Sequence, residues 1–319
     1  MRPTDRLRYV ATELSENYDR SNWWRNRITD RIIAPTQRRF GSRAGSVHVI
    51  EEDWDSFIVL DACRLDLFEE TVDLERFDKY RRVVSLGSRT DEWTYQNFHG
   101  GEFGDTVYVT GSPVTSKVVS DEFHDLIEVW TGGFDEEKGA ILPSAVADAA
   151  REAHEEYPNK RLIVHFMQPH IPFVDSPEMN FREWWTPFND FEDTDADPPR
   201  TVWGALGMGL VAYDDVWEAY KKNLQYGFEE AMDLADDLPG RTVVTSDHGN
   251  MMGERTWPIP IRLYAHPRGL RAPPLVDVPW AVLENGDRPE IVDDGVNSLS
   301  EGESDEMKRK LAALGYHEE

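Results

Sequence analysis

The chain has 319 residues, 39% of them hydrophobic, and a formal charge of −27 from 61 acidic against 34 basic residues. That length supports one large α/β domain or two modest ones with a sizeable core, while the single cysteine, Cys63, excludes an intramolecular disulfide and fits a reducing interior. The acidity argues against nucleic acid as a ligand, and a cytoplasmic location is expected because no signal peptide is visible and the longest soft run, residues 204–213, falls short of the roughly 18 apolar residues a span needs.

Residues 1–45 carry ten arginines against five acidic residues, so this arm is +5 while the remainder is −32. Trp23, Trp24, Ile28 and Ile32 line one side of a predicted basic helical arm. Such an arm suits peripheral contact with an anionic membrane surface, or packing against its own acidic domain. The domain itself is expected over 46–290. Its predicted strands are 56–61, 81–86, 106–110, 161–167, 242–246, 261–265 and 278–283, each short and rich in Val, Ile, Leu, Phe or Tyr. Helices are predicted between them, notably 143–156 and 214–236, the second with Trp217, Tyr220, Leu224 and Phe228 at spacings of three and four. Strands alternating with helices predict an α/β sandwich with a mainly parallel central sheet flanked by helices. Residues 175–202, with Trp184, Trp185 and the acidic run at 191–199, read as an insertion or lid. Residues 291–319 read as an acidic loop and a C-terminal helix capped by Ser304 and closed at Gly315.

In a parallel sheet all carboxyl ends lie on one rim, where open α/β sheets bind ligands. Four predicted strands end there in metal-competent residues: FIVLDAC in Asp61, RLIVHFMQPH in His170, RTVVTSDHGN in Asp247 and His248, and IRLYAHP in His266. A hard carboxylate beside an imidazole, with a glycine that lets the backbone turn away, is half a metal site. VVSLGSRTDEWTYQNF predicts a strand, a glycine turn and a helix with Thr90 as N-cap. A hydroxyl at a helix N-terminus and beside a metal is stabilised as its alkoxide, which makes Thr90 the candidate nucleophile and Ser88 its rival. A tetrahedral oxyanion also needs fixed donors. Arg64 and Arg89 lie nearest the presumed site, and Arg255 follows Asp-His-Gly. Cys63 reads as a small buried core residue and His165, inside a strand, as a satisfied core histidine.

Across about residues 50–285 this order of elements resembles the alkaline phosphatase and sulfatase superfamily. The resemblance implies an alkaline-phosphatase-like fold and a divalent metal (manganese, zinc or calcium) held by Asp61, Asp247 and His248 with Thr90 as nucleophile and ligand. It places His170 at the substrate or leaving group, and His266 as a second-metal ligand or substrate contact. It implies a hydrolase or transferase acting on small-molecule, glycan-linked or lipid-linked phosphate or sulfate esters. One feature departs from the family: Cys63 is followed by Arg-Leu-Asp-Leu, whereas formylglycine sulfatases carry Cys-x-Pro-Ser-Arg. That favours phosphodiester or phosphoglycerol-type substrates over sulfated glycans, with a non-catalytic sulfatase-like binding protein as the non-enzymatic alternative. Eight lysines against 26 arginines, with abundant carboxylates, resemble the composition of proteins from halophilic archaea.

Overall fold

The computed structural model describes residues 12, 13, 15, 18, 21–41, 44–181, 199 and 201–296. The predicted C-terminal helix and the centre of the predicted lid, with Trp184 and Trp185, lie outside the described residues.

A seven-stranded sheet forms the centre, in the order β2-β11-β8-β1-β7-β3-β4. Its members are β1 (Ser56–Leu60), β2 (Lys79–Val84), β3 (Phe103–Thr110), β4 (Phe123–Glu128), β7 (Arg161–Phe166), β8 (Gly240–Thr245) and β11 (Asp277–Asn285). β1 pairs in parallel with β7 and β8, and β3 with β7 and β4. β11 runs antiparallel to both β8 and β2, so β2 points the same way as the other parallel strands. The expected mainly parallel sheet flanked by helices is what the chain forms. Two short antiparallel pairs stand apart: β5 (Phe134–Asp135) with β6 (Ala140–Ile141), and β9 (Met251–Arg255) with β10 (Arg262–Ala265). The predicted strand 261–265 therefore belongs to a separate hairpin and not to the central sheet.

Strand periodicity sends alternate side chains to opposite faces. Ile58, Leu60, Val164, Phe166 and Val244 face a layer made by α3 (Leu65–Thr71), α6 (Pro143–Glu156) and α8 (Tyr213–Asp237). Phe57, Val59, Ile163 and Val243 face the other way, against Trp54 and against Trp93 and Phe98 of α4 (Thr90–Phe98). α5 (Pro113–Val118) continues that second layer beside α4. In α8, Val216, Ala219, Tyr220, Asn223, Leu224 and Gly227 are buried at spacings of three and four, which is why this long helix lies flat on the sheet. α7 (Val202–Met208) packs on β9 and β10.

The N-terminal segment forms α1 (Ser21–Ile28) and α2 (Ala34–Phe40), joined by a π-helical turn at Thr29–Ile33. Ile33 and Ala34 enter a third apolar cluster with Met251, Leu263, Leu270 and Leu275, the last in α9 (Pro273–Val276). Residues 28–34 of the arm thus pack against the domain through apolar contacts.

Candidate metal centre and active site

Asp61 follows β1, and Asp247 and His248 follow β8, the strand beside it. Thr90 opens α4, six residues after β2, and His165 sits one residue from the end of β7. These four strands bring their side chains to one buried point. Ligand atoms of Asp61, His165 and Asp247 all lie within 4.8 Å of one another. His165 Nε2 is 3.9 Å from Asp61 Oδ2 and 3.8 Å from Asp247 Oδ2, and His248 Nε2 is 3.7 Å and 3.5 Å from the same two carboxylates. Thr90 Oγ1 lies 3.4 Å from His248 Nε2.

The backbone is shaped to hold this cluster. Ala62, next to Asp61, adopts the left-handed region at φ 58°, and Ala265, next to His266, does so at 60°. A side-chain-bearing residue there costs on the order of 1–3 kcal/mol, a strain that accumulates where geometry is functional. The Ala62 amide donates to Asp247 Oδ1 at 3.0 Å, and the His248 amide does so at 2.8 Å. A Cβ on Gly249 would meet Pro274 O at 2.2 Å, so Asp-His-Gly needs its glycine for close packing. A Cβ on Gly87 would lie 2.3 Å from the Trp93 amide nitrogen, so that glycine lets the loop before α4 cross the helix.

Electrostatics separate the two carboxylates. Burial, and then the charge of Asp247, push Asp61 well above the usual carboxylate range. Burial also opposes the charge on Asp247, but the His248 and His165 rings and the Ala62 amide overcome it and hold that carboxyl below its ordinary value. Burial pushes His165 down to about 4 against the pull of Asp247. Asp61 Oδ1, Asp247 Oδ2 and His165 Nε2 are buried without hydrogen-bond partners. Three convergent orphaned acceptor positions would be costly unless something positive joins them. Two carboxylate oxygens with imidazole nitrogens form a donor set for a divalent ion of zinc or manganese type. A buried Asp61, His165 and Asp247 group therefore fits the expected metal, with His165 in addition to the anticipated carboxylates and with His248 Nε2 3.5 and 3.7 Å from those carboxylates. His165 had been expected to be a satisfied core histidine. Its Nδ1 is satisfied, by the Tyr108 hydroxyl at 3.0 Å, but its Nε2 faces the carboxylates.

Around this point the histidines are oriented by acceptors on Nδ1. His248 Nδ1–H donates to Gly249 O at 2.7 Å and His170 Nδ1–H to Ile171 O at 2.7 Å. For His266 the tautomer follows from a chain of bonds: Tyr220 O–H donates to Ala62 O, Asn250 Nδ2 donates to the Tyr220 oxygen at 3.2 Å, and Asn250 Oδ1 is left to accept His266 Nδ1–H at 2.9 Å. When neutral, each of these three rings therefore holds its proton on Nδ1 and its lone pair on Nε2. The His266 ring stands 4.9 Å from His248 and 5.3 Å from His170, centroid to centroid. Burial pushes His170 down to about 4, and burial with the neighbouring His248 holds His266 well below its usual value. Asn223 of α8 holds the His170 loop, donating to Pro169 O and His170 O and accepting from the Val174 amide.

Three expected roles change. Arg64 is not open to substrate: its guanidinium donates to Asp66 at 2.8 and 2.6 Å, to Glu254 at 2.7 Å and to Asn250 O at 2.7 Å, and it stacks on Trp217. It buttresses the Asn250 turn. Ser88 donates to Glu92 at 2.8 Å and accepts from the Gly269 amide at 2.9 Å, which makes it a clamp between two loops and leaves Thr90 as the hydroxyl at the carboxylates. The N-cap of α4 is Arg89, one residue earlier than expected, with Thr90 as the first helical residue. Arg89 pairs with Asp91 at 3.2 Å, and its charge reaches both His170 and His266; these three are half-buried, whereas Asp61, His165, Asp247 and His248 are buried, so they mark the opening of the site. Arg255 is turned away, donating to Pro260 O. Cys63 is fully buried, as expected.

No family model matches the chain, and no curated protein matches it. Among solved structures, the chain is similar to the integral membrane protein lipooligosaccharide phosphoethanolamine transferase A from Neisseria meningitidis. The identity is 14%, the match covers 88% of this chain and 59% of that one, and the TM-score is 0.45. The chain therefore spans less than two thirds of that protein's length. The C-terminal periplasmic domain of EcEptC from Escherichia coli, in complex with Zn, matches at 12% identity over 73% of this chain and 74% of that one, TM-score 0.44. The lipoteichoic acid synthase LtaP from Listeria monocytogenes matches at 13% identity over 74% and 66%, TM-score 0.38. No helix among the described residues is long and apolar enough to cross a membrane.

Proposed function

We propose that this chain is a metal-dependent hydrolase or transferase of phosphate or sulfate esters that works through a covalent ester on Thr90. The observation that carries the reading is the convergence of Asp61 Oδ1, Asp247 Oδ2 and His165 Nε2, buried and unpartnered, beside a threonine hydroxyl at a helix N-terminus. Asp61, Asp247, His248 and His165 would hold the ion, which when bound neutralises the ester oxygens and favours the ionised threonine. Thr90 Oγ attacks phosphorus or sulfur in line, forming the threonine ester as the bond to the leaving oxygen breaks. The threonine proton passes to a neutral Nε2 at the opening, on His170 or His266, and returns to the leaving oxygen. Water or an acceptor alcohol then attacks the ester and frees Thr90. The α4 N-terminus and Arg89 stabilise the transferred group's negative charge. A phosphodiester or phosphoglycerol-type substrate is favoured, because Cys63 is buried among core residues and the nucleophile is a plain hydroxyl.

The test is a side-by-side assay of an aryl sulfate, a phosphomonoester and a phosphodiester with manganese, zinc or calcium, together with mass spectrometry of the quenched enzyme. Turnover of the diester and a phosphoryl adduct on the Thr90 peptide are expected. A retained metal with neither turnover nor adduct on any substrate would replace this reading with that of a binding protein.

A further inference from the structure

Residues 21–41 contain five arginines and one acidic residue, a net charge of +4 in a chain of −27. In a body so acidic, these arginines could have been neutralised by pairing with it. They are not. The segment is held by Ile33 and Ala34 in the third apolar cluster, and by buried Gln37. Gln37 donates to Thr256 at 2.7 Å and to Trp257 O at 2.6 Å, and accepts from the Arg271 amide at 2.7 Å. Arg27 pairs with Glu13 inside the arm. Arg31, Arg38 and Arg39 are exposed and form no ion pair with a described acidic residue.

The same segment exposes Trp24 by 40%, Ile32 by 45% and Phe40 by 69%. Trp257, 46% exposed, lies in the β9–β10 connection to which Gln37 is bonded. Of the eight large exposed apolar side chains among the described residues, Trp24, Ile32, Phe40 and Trp257 lie on this basic segment and the turn beneath it, while Tyr18, Tyr95, Leu210 and Tyr213 lie elsewhere. Arg25 stacks over Tyr264 of β10, and β10 leads directly into His266, so this patch is built on the loop that carries a histidine of the site opening.

We propose that residues 21–41 dock this protein on an anionic lipid surface, with Trp24, Ile32 and Phe40 in the headgroup layer and Arg31, Arg38 and Arg39 against its phosphates. Interfacial helices combine these two ingredients, apolar side chains for the acyl boundary and arginines for the anionic heads. A nucleic acid would use the arginines but leave the three apolar side chains without a partner. Outside this segment the chain carries a net charge of −31 (−27 less +4), so an anionic bilayer repels the remainder as a whole and favours contact through residues 21–41. Docking there brings the His266 loop toward the bilayer. This inference stands on the surface alone and does not depend on the chemistry proposed for Thr90.

The experiment is vesicle sedimentation of the full chain with phosphatidylglycerol–phosphatidylcholine mixtures and with pure phosphatidylcholine, at low and high salt. Binding to the anionic vesicles only, weakened by salt, is expected. Each basic residue at such a surface is worth on the order of fivefold in partition, so Arg31→Glu/Arg38→Glu/Arg39→Glu should lose roughly 10²-fold or more. Trp24→Ser/Ile32→Ser/Phe40→Ser should also lose binding. Because apolar replacements can disturb the arm, Phe40→Ser alone serves as a second variant, and thermal melting checks each fold. Hydrolysis of a soluble phosphodiester in the charge-reversed variant should match that of the parent. Equal partition onto neutral and anionic vesicles, undiminished binding by the charge-reversed variant, preference for duplex DNA over vesicles, or light scattering showing the patch buried between two copies would each overturn the proposal.

Discussion

Replacing Asp61 with asparagine should uncouple stability from metal in a way that few other substitutions could. Without metal, the ligand oxygens of Asp61 and Asp247 sit within 4.8 Å, buried and with no cation between them. Two full charges at that separation repel by about 3 kcal/mol at an effective dielectric of about 20. The conflict is already visible in the upward displacement of Asp61 by burial and by Asp247. Asparagine has nearly the same shape and cannot ionise, so the metal-free variant should be at least as stable as the parent, and more so by up to about 3 kcal/mol at alkaline pH. The parent should gain about 2.7 kcal/mol from metal at one hundred times its dissociation constant. In a chain of this size that is a rise of roughly 5 °C in melting temperature, and the variant should lose it. Calorimetry at pH 8, after chelation and after adding back zinc or manganese, measures both quantities. A metal-free variant that melts well below the parent, or one that keeps the metal-dependent rise, would show that Asp61 is a structural group and that the ion, if any, sits elsewhere.

Thr90→Ala should retain metal, measured by elemental analysis, and lose turnover on the order of 10⁴-fold or more, whereas Ser88→Ala should mainly lower stability. Gly87→Ala pushes a methyl group to 2.3 Å from the Trp93 amide; a displacement of α4 by about 1 Å should cost roughly 10²-fold in kcat/KM with metal content unchanged. Metal-free protein should weaken in acid. His165 has its pKa pushed down to about 4 by burial, so between about pH 6.5 and 4 the unfolded chain binds a proton that the native state refuses. Up to about 3 kcal/mol is lost as pH falls through that window, and nothing is lost above it. Urea melts at pH 7.5 and 4.5 should show a smaller difference for His165→Gln than for the parent.

Much of the site was legible because its residues follow strands whose apolar runs are short and clear. Asp61, Asp247 and His248 come together since β1 and β8 are neighbours in the sheet, and the same rim receives Thr90 from β2. Less of the fold was legible at the edges. β4 reads FHDLIE and β9 reads MMGER, and neither carries the run of β-branched residues that marks a buried strand. Strand 261–265 reads IRLYA and is apolar at four of five positions, yet pairs with β9 in a hairpin, because local composition reports the propensity for a strand and not its partner. His165 could have been found from periodicity. Its register partner across the sheet is Val59, and Thr245 also pairs with Val59. Two residues on from Val59 and Thr245, on the same face, come Asp61 and Asp247. A histidine of matching parity near the end of the strand between β1 and β3 had to look toward those carboxylates.

What sequence could not apportion was which polar residues meet the reactive point and which hold others in place. Arg64 and Ser88 are as close in the chain to Asp61 and Thr90 as any candidate, but each has its donors committed to neighbouring loops. The groups that set the chemistry of His266 are remote: Ala62 O orients the Tyr220 hydroxyl, which orients the Asn250 amide, which fixes the proton on Nδ1. Breaking that chain at Asn250 should therefore leave metal affinity nearly intact and change how the rate depends on pH. Asn250→Asp would offer Nδ1 a charged acceptor and raise the basicity of Nε2, moving the basic residue's limb of the kcat/KM profile to higher pH. The same profile in parent and variant would mean that His266 carries no proton in the reaction, and His170 would be left to do so alone.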